Sequence, residues 1–338
     1  HGSANPIGGQ NAVIKLRWGA DADGLRFDGA PAGIKFALGE NVKQSGWGDG
    51  FRSRYPQTRM GIEQVYRDQF NAARAYADAR RGKRGAALRR DLRLEALAEI
   101  LEGERLIHIH SYRQDELLMF VRLAQAYELP VATFQHALEG YKVASEIASI
   151  GAGASVFSDW WSYKHEAFEG IPHIAALMTR AGVVVSYNSD SDELARRLNT
   201  EAAKAVKYGG LDEEEAFKLV SLNPARQLRI DHRVGALRAG LDADLVLWNA
   251  SPLSSTARVE QTWVDGRRLF DLDEDARLLA SAAQARAKRL AIAPPAEATP
   301  EAKADAGDRR EWIHHAAGRG LYHAGESLHS CEEQAHAH

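Results

Sequence analysis

Residues 105–136 read RLIHIHSYRQDELLMFVRLAQAYELPVATFQH, and this stretch decides the fold class. Residues 105–110 alternate with period two, which is a strand. Residues 114–128 follow with Leu117, Val121 and Ala124 at helical spacing. Ser111 and Gln114, three apart, form a capping-box pair at the expected helix start. Pro130 then opens a second strand over 130–135. Strand, helix and strand in this order make a βαβ unit, which implies a parallel sheet.

The alternation continues downstream. The pattern predicts a helix at 142–150, a strand at 154–157, a mostly helical stretch at 165–180 and a strand at 183–187. Helices at 192–206 and 212–222 follow, the latter stopped by Asn223-Pro224. Upstream, short strands are expected at 11–17 and 32–38. A long Gly-, Ser- and Trp-rich loop covers 40–57. A helix spans 58–80, a basic connector 81–90, and Asp91 caps another helix carrying Leu92, Ala96 and Ile100. After residue 230 the rhythm changes. Residues 234–270 read as short strands, at 243–248 and 259–264, with a turn at Asp265-Gly266. From 273 the chain is Ala-rich and helical. Residues 291–308 hold seven Ala and three Pro, a linker composition, and six of thirteen histidines lie in the tail beyond.

The composition narrows the function classes. Lys and Arg number 43 against 46 Asp and Glu, giving a net charge of −3, so wholesale nucleic-acid binding is not expected. No apolar run is long enough for a membrane span. The single cysteine, Cys331, allows no internal disulfide. The sequence assigns no compartment.

In parallel α/β folds the chemistry gathers at the C-terminal ends of strands. One such strand ends His108-Ile109-His110, with both histidines on one face, and the next ends Phe134-Gln135-His136. A later one ends Tyr187-Asn188-Ser189-Asp190, and Lys35 lies inside the run Ile34-Lys35-Phe36. Singly, each has a plain structural explanation: an edge strand for Lys35, strand capping for an H-x-H pair. Together they suit one metal centre with nitrogen and oxygen ligands. His165, His173 and His232 fall in or near a helix and a turn, and read as solvated or locally bonded.

Three ordered stretches carry a family resemblance: SLNPA at 221–225, VGALRAGLDADLV at 234–246 and RVEQTWVDGR at 258–267. They resemble the ending of the amidohydrolase superfamily, closest to the imidazolonepropionase and Xaa-Pro dipeptidase-like branch, over roughly residues 1–272. The resemblance implies a (β/α)8 TIM-like metal-dependent hydrolase barrel beside a small β-sandwich. Residues 1–230 would be barrel and 231–272 the C-terminal part of the composite sandwich. Residues 273–338 would be helix, linker and His-rich tail. It also implies roles: His110 and His136 as metal ligands on strands five and six, Asp190 as strand-eight ligand and proton shuttle, and Lys35 as the carboxylated strand-four lysine. Lys15 competes for the last role, and His108 would be a ligand or support one. The implied cofactor is one or two divalent ions, Zn2+ first, activating a hydroxide that cleaves an amide, cyclic amide or peptide-like C–N bond.

Two departures shape the expectation. The family's strand-one H-x-H is absent, since the only histidine before His108 is His1. The chain is therefore expected to begin after strands one and two, and to be inactive alone. Deaminating members carry Glu three residues after the strand-five histidine, where this chain has Arg113. An arginine is no general acid at neutral pH but binds carboxylates. That favours hydrolysis over deamination, of a small-molecule or dipeptide-like substrate bound near Tyr112 and Arg113. Homo-oligomerisation stays open. Two alternatives remain: a non-catalytic barrel remnant, and a metal-handling tail built on His314, His315, His323, His329, Cys331, His336 and His338.

Overall fold

The period-two parity of residues 105–110 runs through a whole sheet. The computed structural model describes residues 2–43, 55–82, 88–160 and 164–292. Six strands lie side by side in chain order: β1 (Ile7–Asn11), β2 (Ala32–Ala37), β3 (Arg105–His110), β4 (Val131–Gln135), β5 (Gly153–Val156) and β6 (Val185–Tyr187). Strands β2 to β6 run parallel, and β1 is antiparallel to β2. Lys35 pairs with His108, His110 with Gln135, and Ser155 with Ser186. One face of the sheet thus carries Lys35, His108, His110, Thr133, Gln135, Ser155 and Ser186. The other carries Phe36, Ile107, Ile109, Phe134, Val156 and Val185, all essentially buried.

In chain order the helices are α1 (Ala22–Leu25), α2 (Glu40–Lys43), α3 (Arg59–Arg81), α4 (Leu92–Leu101), α5 (Gln114–Tyr127), α6 (Ala144–Ser149), α7 (Ile174–Arg180), α8 (Leu198–Gly209), α9 (Glu213–Lys218) and α10 (Leu222–Gln227). Buried side chains of α2 to α9 share one core with the apolar face. Phe36 of β2 stacks on Tyr66 of α3 at 5.2 Å, and Phe120 of α5 meets both edge-on. The Tyr66 hydroxyl donates to Ala37 O and lies 2.9 Å from Pro6 O, tying α3 to β2. Burial of each such ring contributes about 1.5–3 kcal/mol. Thr58 caps α3 and Asp91 caps α4 through their side chains, as their positions suggest.

Beyond α10, β7 (Leu245–Trp248), β8 (Val259–Val264) and β9 (Arg267–Asp271) form the small antiparallel sheet. The turn between β8 and β9 has Asp265 and Gly266 both at positive φ, the hairpin geometry that favours this dipeptide. The chain divides into two compact units, 1–270 and 271–338. The second is described only in α11 (Leu272–Ile292), so the tail histidines lie outside the described residues, as do 44–54 of the expected long loop. Among the described residues, no helix is long and apolar enough to cross a membrane.

Several local expectations differ from the structure. The first strand lies at 7–11 rather than 11–17; residues 13–15 instead pair with 25–27 in an isolated antiparallel bridge at Ile14 and Arg26, and the Lys15 side chain enters an aspartate cluster. The 142–150 helix is a 3-10 turn at Gly140–Val143 followed by α6. The 165–180 helix shrinks to a 3-10 turn at His165–Ala167 and α7, because Gly170 and Pro172 interrupt it. The 192–206 helix begins as a 3-10 turn at Leu194–Arg197. Asn223-Pro224 opens α10 instead of stopping a helix, because proline's missing N–H costs nothing in a first turn. Ser111 does not cap α5. The Gln114 N–H donates to Glu139 Oε2 at 3.0 Å, while Ser111 is fully buried.

Candidate metal and active site

The C-terminal edge of the polar sheet face gathers the expected residues. His110 is the last residue of β3, His136 follows β4 directly, and Asp190 lies three residues past β6. Strand parity alone would aim His136 at the apolar face beside Phe134. Its backbone takes the left-handed region, with φ +60°, and the side chain turns to the polar face instead. Asp190 is also left-handed, at φ +44°. Such conformations are unfavourable for side chains with a Cβ, and they concentrate at functional sites.

The His110 and His136 rings lie 4.9 Å apart, steeply tilted. His136 Nε2 is 3.8 Å from Asp190 Oδ2. Both histidines are buried, while the Asp190 side chain is 46% exposed and so faces the solvent side of the cluster. Burial pushes the His136 pKa down to about 3, with Lys35 and Lys164 adding to the effect against a hydrogen bond with Asn188. Burial also holds His110 well below the ordinary histidine range, helped by charge at His136, Lys35 and Lys164. Both imidazoles are therefore neutral at physiological pH. Burial lowers the Lys35 pKa and raises that of Asp190, and the attraction between these two groups opposes both shifts.

His136 is held between aromatic faces. Phe157 stacks on it at 5.0 Å and Tyr112 lies at 5.9 Å, and Trp160 stacks on Phe157 at 4.2 Å. Tyr112 also meets His110 edge-on at 4.7 Å, and Lys164 stands 4.2 Å over the Tyr112 ring. The Lys35 ammonium donates to Gln135 Oε1 at 2.6 Å.

A divalent ion suits these donors in kind. Neutral imidazole and carboxylate are the ligands Zn2+ prefers. Among the described residues, no hydrogen-bond partner reaches the buried His110 Nε2. The 3.8 Å gap between His136 Nε2 and Asp190 Oδ2 is too long for a hydrogen bond, so these two groups would be free to serve as ligands. Among the described residues, no three His, Cys, Asp or Glu side chains come together in a group able to hold a metal ion. These residues would supply only part of a coordination shell.

The other expected residues take distinct places. His108 lies one strand repeat deeper, bonded through Nδ1 to Thr133 Oγ1 at 2.6 Å. Tyr112 is part of the aromatic wall. Arg113 is the N-cap residue of α5, with its guanidinium paired to Asp115 at 3.0 Å. Lys15 is instead bound to Asp242, Asp244 and Asp265. Sequence reasoning missed Asn188, Gln135, Phe157, Trp160 and Lys164. Parity extended from the H-x-H pair would have found Gln135. No local signal marks the others.

The sequence profile of the amidohydrolase family matches residues 107–269. An amidohydrolase from Thermotoga maritima superposes with a TM-score of 0.72 at 30% identity, covering 80% of this chain and 70% of that one. Amidohydrolase tasK of Hapsidospora irregularis is 32% identical over 301 residues, 80% of this chain and 30% of that protein. The chain thus spans less than a third of that relative's length. Adenine deaminase 3 of Rhizobium johnstonii is 32% identical over 111 residues, 33% of this chain and 18% of that protein. With sheet, terminal motifs and full-fold likeness in agreement, the chain belongs to the amidohydrolase family.

Proposed function

We propose that the chain carries part of a metal-dependent hydrolase site acting on a C–N bond of an amide or dipeptide-like substrate. The observation that carries this reading is the buried His110 Nε2, which has no hydrogen-bond partner among the described residues and stands beside neutral His136 and a solvent-facing Asp190. His110, His136 and Asp190 would each offer the ion a donor, and Lys35 lies on the same sheet face. When bound, a divalent ion supplies Lewis acidity, which acidifies water and polarises a carbonyl. Asp190 is the residue able to take up a proton and return it to a leaving nitrogen, because its carboxyl is partly exposed and its pKa lies above the usual range. The Phe157–Trp160 stack and Tyr112 exclude water from one side of the histidines.

Amide hydrolysis is favoured over deamination. The position after the strand-five histidine where a ring-protonating acid would stand holds Arg113, which donates hydrogen bonds but not protons at neutral pH. One observation favours a second reading, a non-catalytic barrel that binds without turnover: no three donors converge among the described residues. The two separate in one experiment. Zinc-loaded protein is assayed against N-acyl amino acids, dipeptides and adenine, beside Asp190→Asn. Turnover of an acylated or dipeptide substrate that Asp190→Asn abolishes supports the hydrolase. Ammonia release from adenine would overturn the amide preference. Zinc binding without turnover of any substrate supports the scaffold.

A further inference from the structure

His136 has a neighbour that decides which of its nitrogens faces the site. Asn188 lies just past β6, with its amide against His136 Nδ1: Oδ1 at 3.2 Å and Nδ2 at 2.9 Å. The same Nδ2 donates to Ser155 Oγ at 2.8 Å. Ser155 is on the polar sheet face, on the strand next to β6. The contacts alone allow two proton arrangements. If Nδ2 donates to both Ser155 and His136, Nδ1 accepts, the ring proton sits on Nε2, and no described bond uses Oδ1. If Nδ1–H donates to Oδ1, Nδ2 still serves Ser155 and every polar atom of the amide is used. Half-buried polar groups favour full satisfaction, which selects the second arrangement. A neutral imidazole carries one N–H, so the two arrangements exclude each other.

We propose that Asn188 is a positioning residue that fixes His136 as the Nδ1–H tautomer and leaves the Nε2 lone pair open toward Asp190. Ser155 anchors the amide and sets its orientation. The stacking of Phe157 fixes the plane of the ring, and Asn188 fixes its proton. The proposal rests on the reading of His136 as a metal ligand for its consequence, but the tautomer itself is independent of any metal. A ligating histidine needs its other nitrogen held as a donor, and loss of such a partner weakens metal binding by about 10–100-fold.

The test compares the full chain with Asn188→Leu and Asn188→Asp. Metal-free protein is examined by 15N–1H correlation NMR of the imidazoles, with the His136 signal identified by its loss in His136→Gln. Zinc affinity is measured alongside by competition with a chromophoric chelator. The expected result is an Nδ1–H tautomer in the unaltered chain and in Asn188→Asp, whose carboxylate can only accept. Asn188→Leu is expected to lose the tautomer preference and about 10–100-fold in zinc affinity, with Asn188→Asp restoring affinity. An Nε2–H tautomer in the unaltered chain, or the same tautomer in Asn188→Leu, overturns the proposal. If the tautomer behaves as expected and no variant binds zinc, the positioning role stands and the metal reading fails.

Discussion

Replacing Lys15 by Met should unfold the molecule more readily while leaving its metal chemistry intact, and replacing Lys35 by Met should do the reverse. Lys15 Nζ lies 2.6 Å from Asp242, 2.9 Å from Asp244 and 2.5 Å from Asp265, joining positions more than 220 residues apart. Its side chain is 5% exposed, whereas the three carboxylates keep 19% to 33% of theirs. Removing one partner of a buried ion pair costs about 3–5 kcal/mol. The partly solvated carboxylates, with Arg233 still on Asp242 and Arg17 still on Asp265, place this case at the lower end, about 3 kcal/mol. At about 2 °C per kcal/mol for a unit of this size, the melting temperature falls by about 6 °C.

The deficit should depend on pH in a defined sense. Burial alone would lower the Lys15 pKa, but its aspartate bonds hold it above the ordinary value. The stability Lys15 provides is therefore complete below the unfolded lysine pKa and is lost as pH rises through the folded one. Hydrogen bonds from Lys15 and Arg17 lower the Asp265 pKa. At Asp242, bonds from Lys15 and Arg233 overcome the raising effect of burial. Their stabilisation is present above the unfolded carboxyl pKa and disappears as pH falls through the lowered folded values. Denaturant unfolding followed by circular dichroism at pH 3, 7 and 11 measures all three regimes. The gap between the unaltered chain and Lys15→Met should be widest at pH 7. A change below about 0.5 kcal/mol at pH 7 would class the cluster with ordinary surface pairs and refute this reasoning.

Three further outcomes are expected. Burial lifts the Glu116 pKa to about 7, with the nearby Glu166 charge adding to it and Arg59 opposing it; this folded acid binds its proton more tightly than the unfolded one, so stability falls as pH rises from about 4 through 7. Glu116→Gln should flatten that decline, an effect on the order of 3 kcal/mol at most, and an unchanged pH profile in urea melts would count against it. Gly39, at φ +92° with Glu166 Oε2 2.9 Å from where a Cβ would stand, should tolerate no side chain: Gly39→Ala is expected to cost about 1–3 kcal/mol in the same melts. Asp190→Asn should lower turnover of an amide substrate by about 10²–10⁴-fold while shifting stability by less than about 0.5 kcal/mol, since the side chain is nearly half exposed and has no hydrogen bond to His136 at 3.8 Å; a large loss of stability would show a structural role instead.

Much of the sheet was legible because parity is a local signal. The H-x-H of β3 fixed which face is polar, and the buried alternation of β4 and β5 followed. The left-handed turn at His136 was not legible, because nothing in Phe134-Gln135-His136 announces a positive φ. The helices misread at 165–180 and 212–222 failed for a related reason. The pattern over 165–180 runs across Gly170 and Pro172, which break it, and Pro224, expected as a stop, lies in the first turn of α10. At the site, residue types that bind metal stood out, but Asn188 and Gln135 did not. Amides are common on any surface, and only the fold reveals that these two face a histidine and a lysine. The carboxylate-binding role expected of Arg113 competes with its pairing to Asp115, a contact two residues away that the spacing allowed but did not impose.

The central claim is that His110 and His136 bind a divalent ion with Asp190 beside them. Zinc K-edge X-ray absorption of the chain loaded with one equivalent of Zn2+ tests it most directly, beside His110→Ala and His136→Ala. The account expects imidazole nitrogen at about 2.0–2.1 Å with oxygen completing the shell, and loss of that imidazole scattering in both variants. A spectrum that neither substitution alters, or one showing a sulfur ligand at about 2.3 Å, would place the ion elsewhere and contradict it.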